Sequence, residues 1–126
     1  MGLRGSGGTL AQAFEQVALA LTATVTDLAS VAPQQCVEIH CDGDDPEVLL
    51  VDWINALVYE MATRKLLFSR FEVSIDGDSL NGKAWGEKVD WERHSPAVEV
   101  KGATYTALKV EQQENGDWLA QCVIDV

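Results

Sequence analysis

Basic residues are scarce in this 126-residue chain: nine Lys and Arg stand against twenty Asp and Glu, a net charge of −11. Nucleic-acid affinity comes largely from cations that displace counterions from phosphates, so strong direct binding of RNA or DNA is not expected. Histidine occurs only as His40 and His94, and neither lies in a nucleophile–base signature. The patterns G-x-S-x-G and H-E-x-x-H and a Walker phosphate loop are all missing, which sets aside the familiar hydrolase and NTPase chemistries. No stretch approaches the roughly 18 apolar residues needed to cross a membrane, and the start has no basic-then-apolar leader, so a cytoplasmic location is expected. Cysteine is limited to Cys36, Cys41 and Cys122, an odd set without the spacing of a disulfide framework or zinc ribbon. Reduced structural thiols are expected. If residues 35–41 form a strand, Cys36 and His40 point to one face and Cys41 to the other, and one zinc ion cannot easily collect all three.

What the chain does contain is a hydrophobic share of 47 %, too high for an acidic disordered segment and ordinary for a folded domain. The length predicts a single domain over residues 1–126. Residues 1–8, with four glycines, read as a loop that opens a helix. Thr9 and Gln12 form a capping-box pattern, in which the Thr oxygen accepts from an orphan N–H and the Gln reaches back to the cap. From there Leu10, Phe14, Val17, Leu21, Val25 and Leu28 recur at helical spacing, predicting a helix to about Val31, with Pro33 blocking continuation. Residues 35–41 alternate, with Val37, Ile39 and Cys41 on the apolar side. Asp45 as N-cap, Pro46 in the first turn and Glu47 at the positive helix end predict a second helix to about Arg64. Its inward stripe is Leu50, Trp53, Ile54, Leu57 and Met61, while Asp52, Asn55 and Tyr59 share another face. A hairpin is expected across Asp76-Gly77-Asp78, then a charged connection over 86–96 with a short helical turn. Strands follow at about 97–101, 103–111 and 117–126, the last two joined by the hairpin signal Asn115-Gly116. The resulting fold class is α+β: a two-layer single domain, two main helices packed on a mostly antiparallel sheet.

Candidate chemistry is sparse. Gly5-Ser6-Gly7-Gly8 resembles an anion cradle, but a preceding strand and a following Lys are missing, and a hinge is the plainer reading. Asp42, Asp44 and Asp45 resemble the start of a calcium loop, yet Pro46 and Trp53 stand where further ligands belong, leaving a solvated turn with an N-cap. Asp125 lies in an otherwise apolar strand, with Leu119, Gln121 and Val123 on its face. Such a carboxylate either finds a partner or a cation, or reaches water at the chain end.

Several segments, taken together and in order, closely resemble the archease family: GLRGSGGTLAQAFEQVALAL, EVLLVDWINALVYEM, LLFSRFEV, GEKVDWERH, EVKGATYTALKV and the closing WLAQCVIDV. The resemblance implies a non-enzymatic protein cofactor that promotes attachment of GMP to the active-site histidine of an RtcB-type RNA ligase. It thereby supports multiple turnover in tRNA splicing or RNA repair. It also implies a calcium-type site formed by an N-terminal aspartate, an aspartate near the C-terminus and the adjoining terminal carbonyl. Asp125 and Val126 match its C-terminal part. The N-terminal part is expected upstream of Gly2, so the chain reads as about a dozen residues short at its start, and calcium binding is expected to be weakened. The family's helical aspartate falls on Asp52, a partner-facing residue or a solvated one. Lys101 falls in E-V-K-x-x-T-Y, where it contacts a phosphate or pairs with an acid; Tyr105 is expected to pack, and Thr106 replaces a histidine. Other readings are a general chaperone-like protein-binding module without ligase specificity and a metal-dependent enzyme using the acidic cluster. A homo-oligomer is expected if a sheet edge stays unpaired.

Overall fold

The computed structural model describes residues 1–126. In chain order the elements are β1 (Gly2–Gly7), α1 (Leu10–Val25), a 3-10 turn (Leu28–Ser30), β2 (Gln35–Asp42), α2 (Pro46–Arg64), β3 (Leu66–Asp76), β4 (Ser79–Lys88), α3 (Trp91–His94), β5 (Gly102–Gln112) and β6 (Trp118–Asp125). The α+β class holds, but the strands divide into two three-stranded antiparallel sheets, β1-β6-β5 and β2-β4-β3. Helix α1 packs on β1 and β6 of the first sheet and on β3 of the second; α2 packs on β5 of the first and on β2 and β3 of the second. One hydrophobic core therefore serves both sheets, joining Leu3, Ala120 and Ile124 to Val37, Phe68 and Leu80 through the helices. Trp53 and Phe14 are fully buried at its centre, and the Trp53 indole N–H donates to the Phe14 carbonyl at 3.2 Å. Burial of each such side chain contributes about 2 kcal/mol.

The helix starts follow their caps. The Thr9 hydroxyl accepts from the Gln12 N–H at 3.1 Å, while the Gln12 amide oxygen accepts from the Gly8 N–H, one residue before the cap. Asp45 accepts from the Glu47 N–H at 2.9 Å, and α2 runs from Pro46 to Arg64 as its sequence predicts. Both hairpin turns form at their glycines, Gly77 (φ 62°) and Gly116 (φ 90°).

Three expectations are corrected. The glycine-rich start is strand β1, paired with β6 from Gly2 opposite Val123 to Gly7 opposite Trp118. A Cβ at Gly5 would lie 2.5 Å from the Val17 backbone nitrogen, so glycine there serves the close approach of strand to helix. The first helix ends at Val25 and not near Val31, because Thr26 turns extended (φ −155°, ψ 173°) and Asp27 caps a separate 3-10 turn through the Ala29 N–H. Residues 97–101 form no strand: they belong to a strap over 89–101 whose polar groups bond elsewhere, Ala97 N–H to the Val25 carbonyl and Lys101 N–H to the Asp125 carbonyl, both at 2.8 Å.

Candidate functional site

Helix α2 presents Asp52, Asn55 and Tyr59 outward on one face, as their spacing predicts, with Tyr59 63 % exposed. Asn55 gives this face its position. Its side-chain oxygen accepts from the Ala103 N–H at 2.8 Å, fastening the helix to the start of β5 across 48 residues. A Cβ on Gly102 would lie 3.1 Å from that oxygen, so the strand approaches the helix closely here. Gly102 is paired with Asp125 across the sheet, and the Lys101 N–H donates to the Asp125 carbonyl. Asn55, Lys101 and Asp125 thus meet where α2, the end of the strap and the end of β6 converge. Asp52 stands one turn earlier on α2, beside the end of β2. Burial pushes the Cys41 thiol above its ordinary range, and the nearby Asp52 and Asp42 carboxylates push it the same way.

Asp52, Lys101 and Asp125 are all exposed, and none takes part in an ion pair within the chain. The three side chains are available to groups of opposite charge on another body. For calcium the donor set is thin. A calcium ion takes about six to eight oxygens, and no three His, Cys, Asp or Glu side chains gather as a metal site. The Asp125 carbonyl is engaged by Lys101, and the Ile124 carbonyl accepts from the Met1 amino group at 3.2 Å. Asp125 and Val126 alone do not fit the ion. The other acidic group is also committed: Asp42 accepts from Ser79 at 2.9 Å and bonds the His40 ring at 2.9 Å, while Asp45 caps α2. These bonds hold the Asp42 carboxyl below its ordinary range, Ser79 first and His40 second.

Tyr105 does not pack; it is 65 % exposed. The register between β5 and β6 passes from Thr104 opposite Val123 to Lys109 opposite Gln121, so the residues between bulge outward, and Ala107 takes a left-handed φ of 52°. Gln121 ties the bulge down, donating to the Ala107 carbonyl at 3.0 Å and accepting from the Arg4 guanidinium at 3.0 Å. A shift in alternation signals this in the sequence. Ala103 and Val110 both face inward, opposite Ile124 and Ala120, yet they are an odd number of residues apart.

Sequence reasoning missed a buried polar network behind α3. The Glu87 carboxylate accepts from the Ala32 N–H at 2.5 Å, pairs with Arg93 and contacts the His94 ring nitrogen Nε2 at 3.2 Å. The Asp90 N–H donates to His94 Nδ1 at 2.8 Å, which leaves the imidazole proton on Nε2, facing Glu87. The Ala32 bond first, and Arg93 second, hold the Glu87 carboxyl down to about 2. Four of its members, Glu87, Asp90, Arg93 and His94, lie within GEKVDWERH, but the pattern alone does not show that this segment folds back on the Ala32 N–H and buries Glu87 and His94 there.

The model of the Archease protein family matches residues 1–126. The chain is 39 % identical to the protein archease of Pyrococcus furiosus and 38 % identical to that of Sulfurisphaera tokodaii, covering all of this chain and 92 % and 91 % of those relatives. Its structure is similar to the solution structure of protein 1598 of Methanobacterium thermoautotrophicum, with a TM-score of 0.86 at 32 % identity, covering 99 % of this chain and 91 % of that one.

Proposed function

This chain belongs to the archease family, and from that premise we propose that it is a protein cofactor of an RtcB-type RNA ligase, promoting guanylylation of the ligase and its repeated turnover in tRNA splicing or RNA repair. The observation that carries the reading is the edge at which Asn55 fastens α2 to β5, with Lys101 and Asp125 joined beside it and Asp52 one helical turn before it, all three side chains exposed and outside any ion pair of the chain. A surface with free charges of both signs is suited to another protein's charged active-site cleft, where Lys101 meets a phosphate of the nucleotide and the carboxylates meet cationic groups. The net charge of −11 supports the same partner, since it draws the chain toward a positively charged RNA-binding cleft and away from free RNA. The role is that of an activator: the chain docks and adjusts the nucleotide pocket of the ligase. No metal-dependent step is assigned to it, because Asp125 and Val126 do not fit a calcium ion by themselves.

The test is the rate at which the cognate ligase acquires GMP from GTP in the presence of manganese. The chain is expected to accelerate formation of the ligase–GMP adduct, and Asp52→Ala and Lys101→Ala are expected to reduce that acceleration while keeping the fold. An adduct that forms at the same rate with and without the chain would remove the proposal. Suppression of aggregation of unrelated proteins in place of ligase activation would support the chaperone-like reading.

A further inference from the structure

We propose that the apolar cleft between the second half of α2 and the strap 89–101 is the anchor pocket of the ligase-docking surface. Its occupant is an aliphatic or aromatic side chain of the ligase, carried on a segment flanked by Lys or Arg. The inference rests on the functional reading above and assigns its contact surface.

The cleft has a volume of about 570 Å³, and ten of its thirteen lining residues are hydrophobic, among them Val58, Met61, Val89, Trp91 and Val98. Trp91 is 74 % exposed at its margin, the most exposed large aromatic of the chain, and Tyr59 follows Val58 on the adjoining helix face. The apolar surface it opens is small, the size of a seat for one side chain and not of a whole interface. The surroundings have the anatomy of an interface, an apolar centre with a polar rim: Lys65 and Glu99 line the cleft and neither is in an ion pair within the chain.

The backbone turn that carries the exposed tryptophan is held in place. Asp90 caps α3 by accepting from the Glu92 and Arg93 N–H groups, and the buried His94 closes the same turn onto Glu87. The Thr26 hydroxyl donates to the His94 carbonyl at 2.5 Å, fixing the strap to the end of α1. A tryptophan on a turn fixed at so many points needs little further backbone ordering on association, and the tryptophan side chain itself has few rotatable bonds to fix.

Continuity and charge identify the occupant. Both walls of the cleft lead into the candidate site: α2 carries Asp52 and Asn55 before Val58 and Met61, and the strap passes from Val98, Glu99 and Val100 directly into Lys101. A partner that touches Asp52 and Lys101 meets the cleft next. Two copies of this chain, each at −11, repel one another, whereas a cationic ligase surface is attracted.

The experiment titrates the chain into limiting cognate ligase under multiple-turnover conditions and reads two quantities, the half-saturating concentration and the maximal stimulation. Trp91→Ser and Ala62→Glu, the latter at an exposed helical position on the cleft wall, are each expected to raise the half-saturating concentration by about tenfold or more, with maximal stimulation largely retained. Asp52→Ala is expected to lower the maximum instead. Stimulation by the wild-type chain with unchanged half-saturating concentrations for both cleft variants would overturn the cleft assignment while leaving the ligase role intact. Failure of the wild-type chain to stimulate at any concentration would remove the ligase role, and the assignment with it. Sedimentation of the wild-type chain as a dimer that Trp91→Ser dissociates would assign the cleft to a second copy and overturn the proposal.

Discussion

Asn55 is the side chain on which the geometry of the candidate site depends, because its oxygen accepts from the Ala103 N–H and so joins α2 to β5. Asn55→Ala is expected to lower stability by about 1 kcal/mol in urea denaturation, whereas Asp52→Ala, at an exposed position without a bond, is expected to stay within about 0.5 kcal/mol of wild type. The shared face of Asp52, Asn55 and Tyr59 was legible from helical spacing alone. The bond from Asn55 to Ala103 was not, since nothing local relates residues 48 positions apart. Glu87 illustrates the same limit and supplies a pH prediction. Its carboxyl is held down to about 2 from an ordinary value of 4.5, chiefly by the Ala32 N–H. A depressed folded-state pKa contributes stability that is present above the ordinary range and is lost as pH falls from about 4.5 toward 2. Thermal melts of wild type and Glu87→Gln are therefore expected to differ at neutral pH, with the gap closing on acidification through that window. A gap that persists unchanged at pH 2 would contradict the assignment. Calcium titration by calorimetry is expected to show no tight stoichiometric binding, because no second or third carboxylate gathers with Asp125.

Elements whose boundaries are set by local chemistry were read well, and those set by tertiary contact were not. Helix α2 starts and ends where expected because an Asp cap, a first-turn Pro and a long apolar stripe all agree. Strand β1 was missed because four glycines look like loop in isolation, and only the nearness of α1 explains them. The stripe of α1 continues past Val25, but the backbone does not, since Asp27 caps a new turn. The strap does not become a strand because its bonds go to different elements, the Ala97 N–H to Val25 at the end of α1 and the Lys101 N–H to Asp125 at the end of β6, with no continuous ladder along one strand. The β2-β4-β3 sheet offers a direct check on how tightly these elements fit. A Cβ at Gly82 would lie 2.4 Å from the Trp53 ring, within a strand that must pass over the centre of the core. Gly82→Ala is expected to destabilise the protein by about 1–3 kcal/mol through overpacking, measured as a lower urea midpoint with an unchanged slope. A midpoint equal to wild type would show that the indole has room to move.

At the scale of the whole molecule, two sheets and two helices share one core, and the edge that carries Asp52, Lys101 and Asp125 adjoins the cleft that Trp91 borders. The α+β class and the family resemblance were both legible in the sequence; the division into two sheets was not, because pairing partners are long-range. The excess of acid over base predicts that the proposed association with a ligase weakens as salt rises, since the Debye length shortens to about 8 Å at physiological salt. The central claim is tested most directly by RNA ligation with the cognate RtcB-type ligase limiting, RNA ends in excess, and GTP and manganese present. The account predicts many ligation events per ligase molecule with the chain and few without it, and a reduced number with Asp52→Ala. Equal turnover with and without the chain would contradict it.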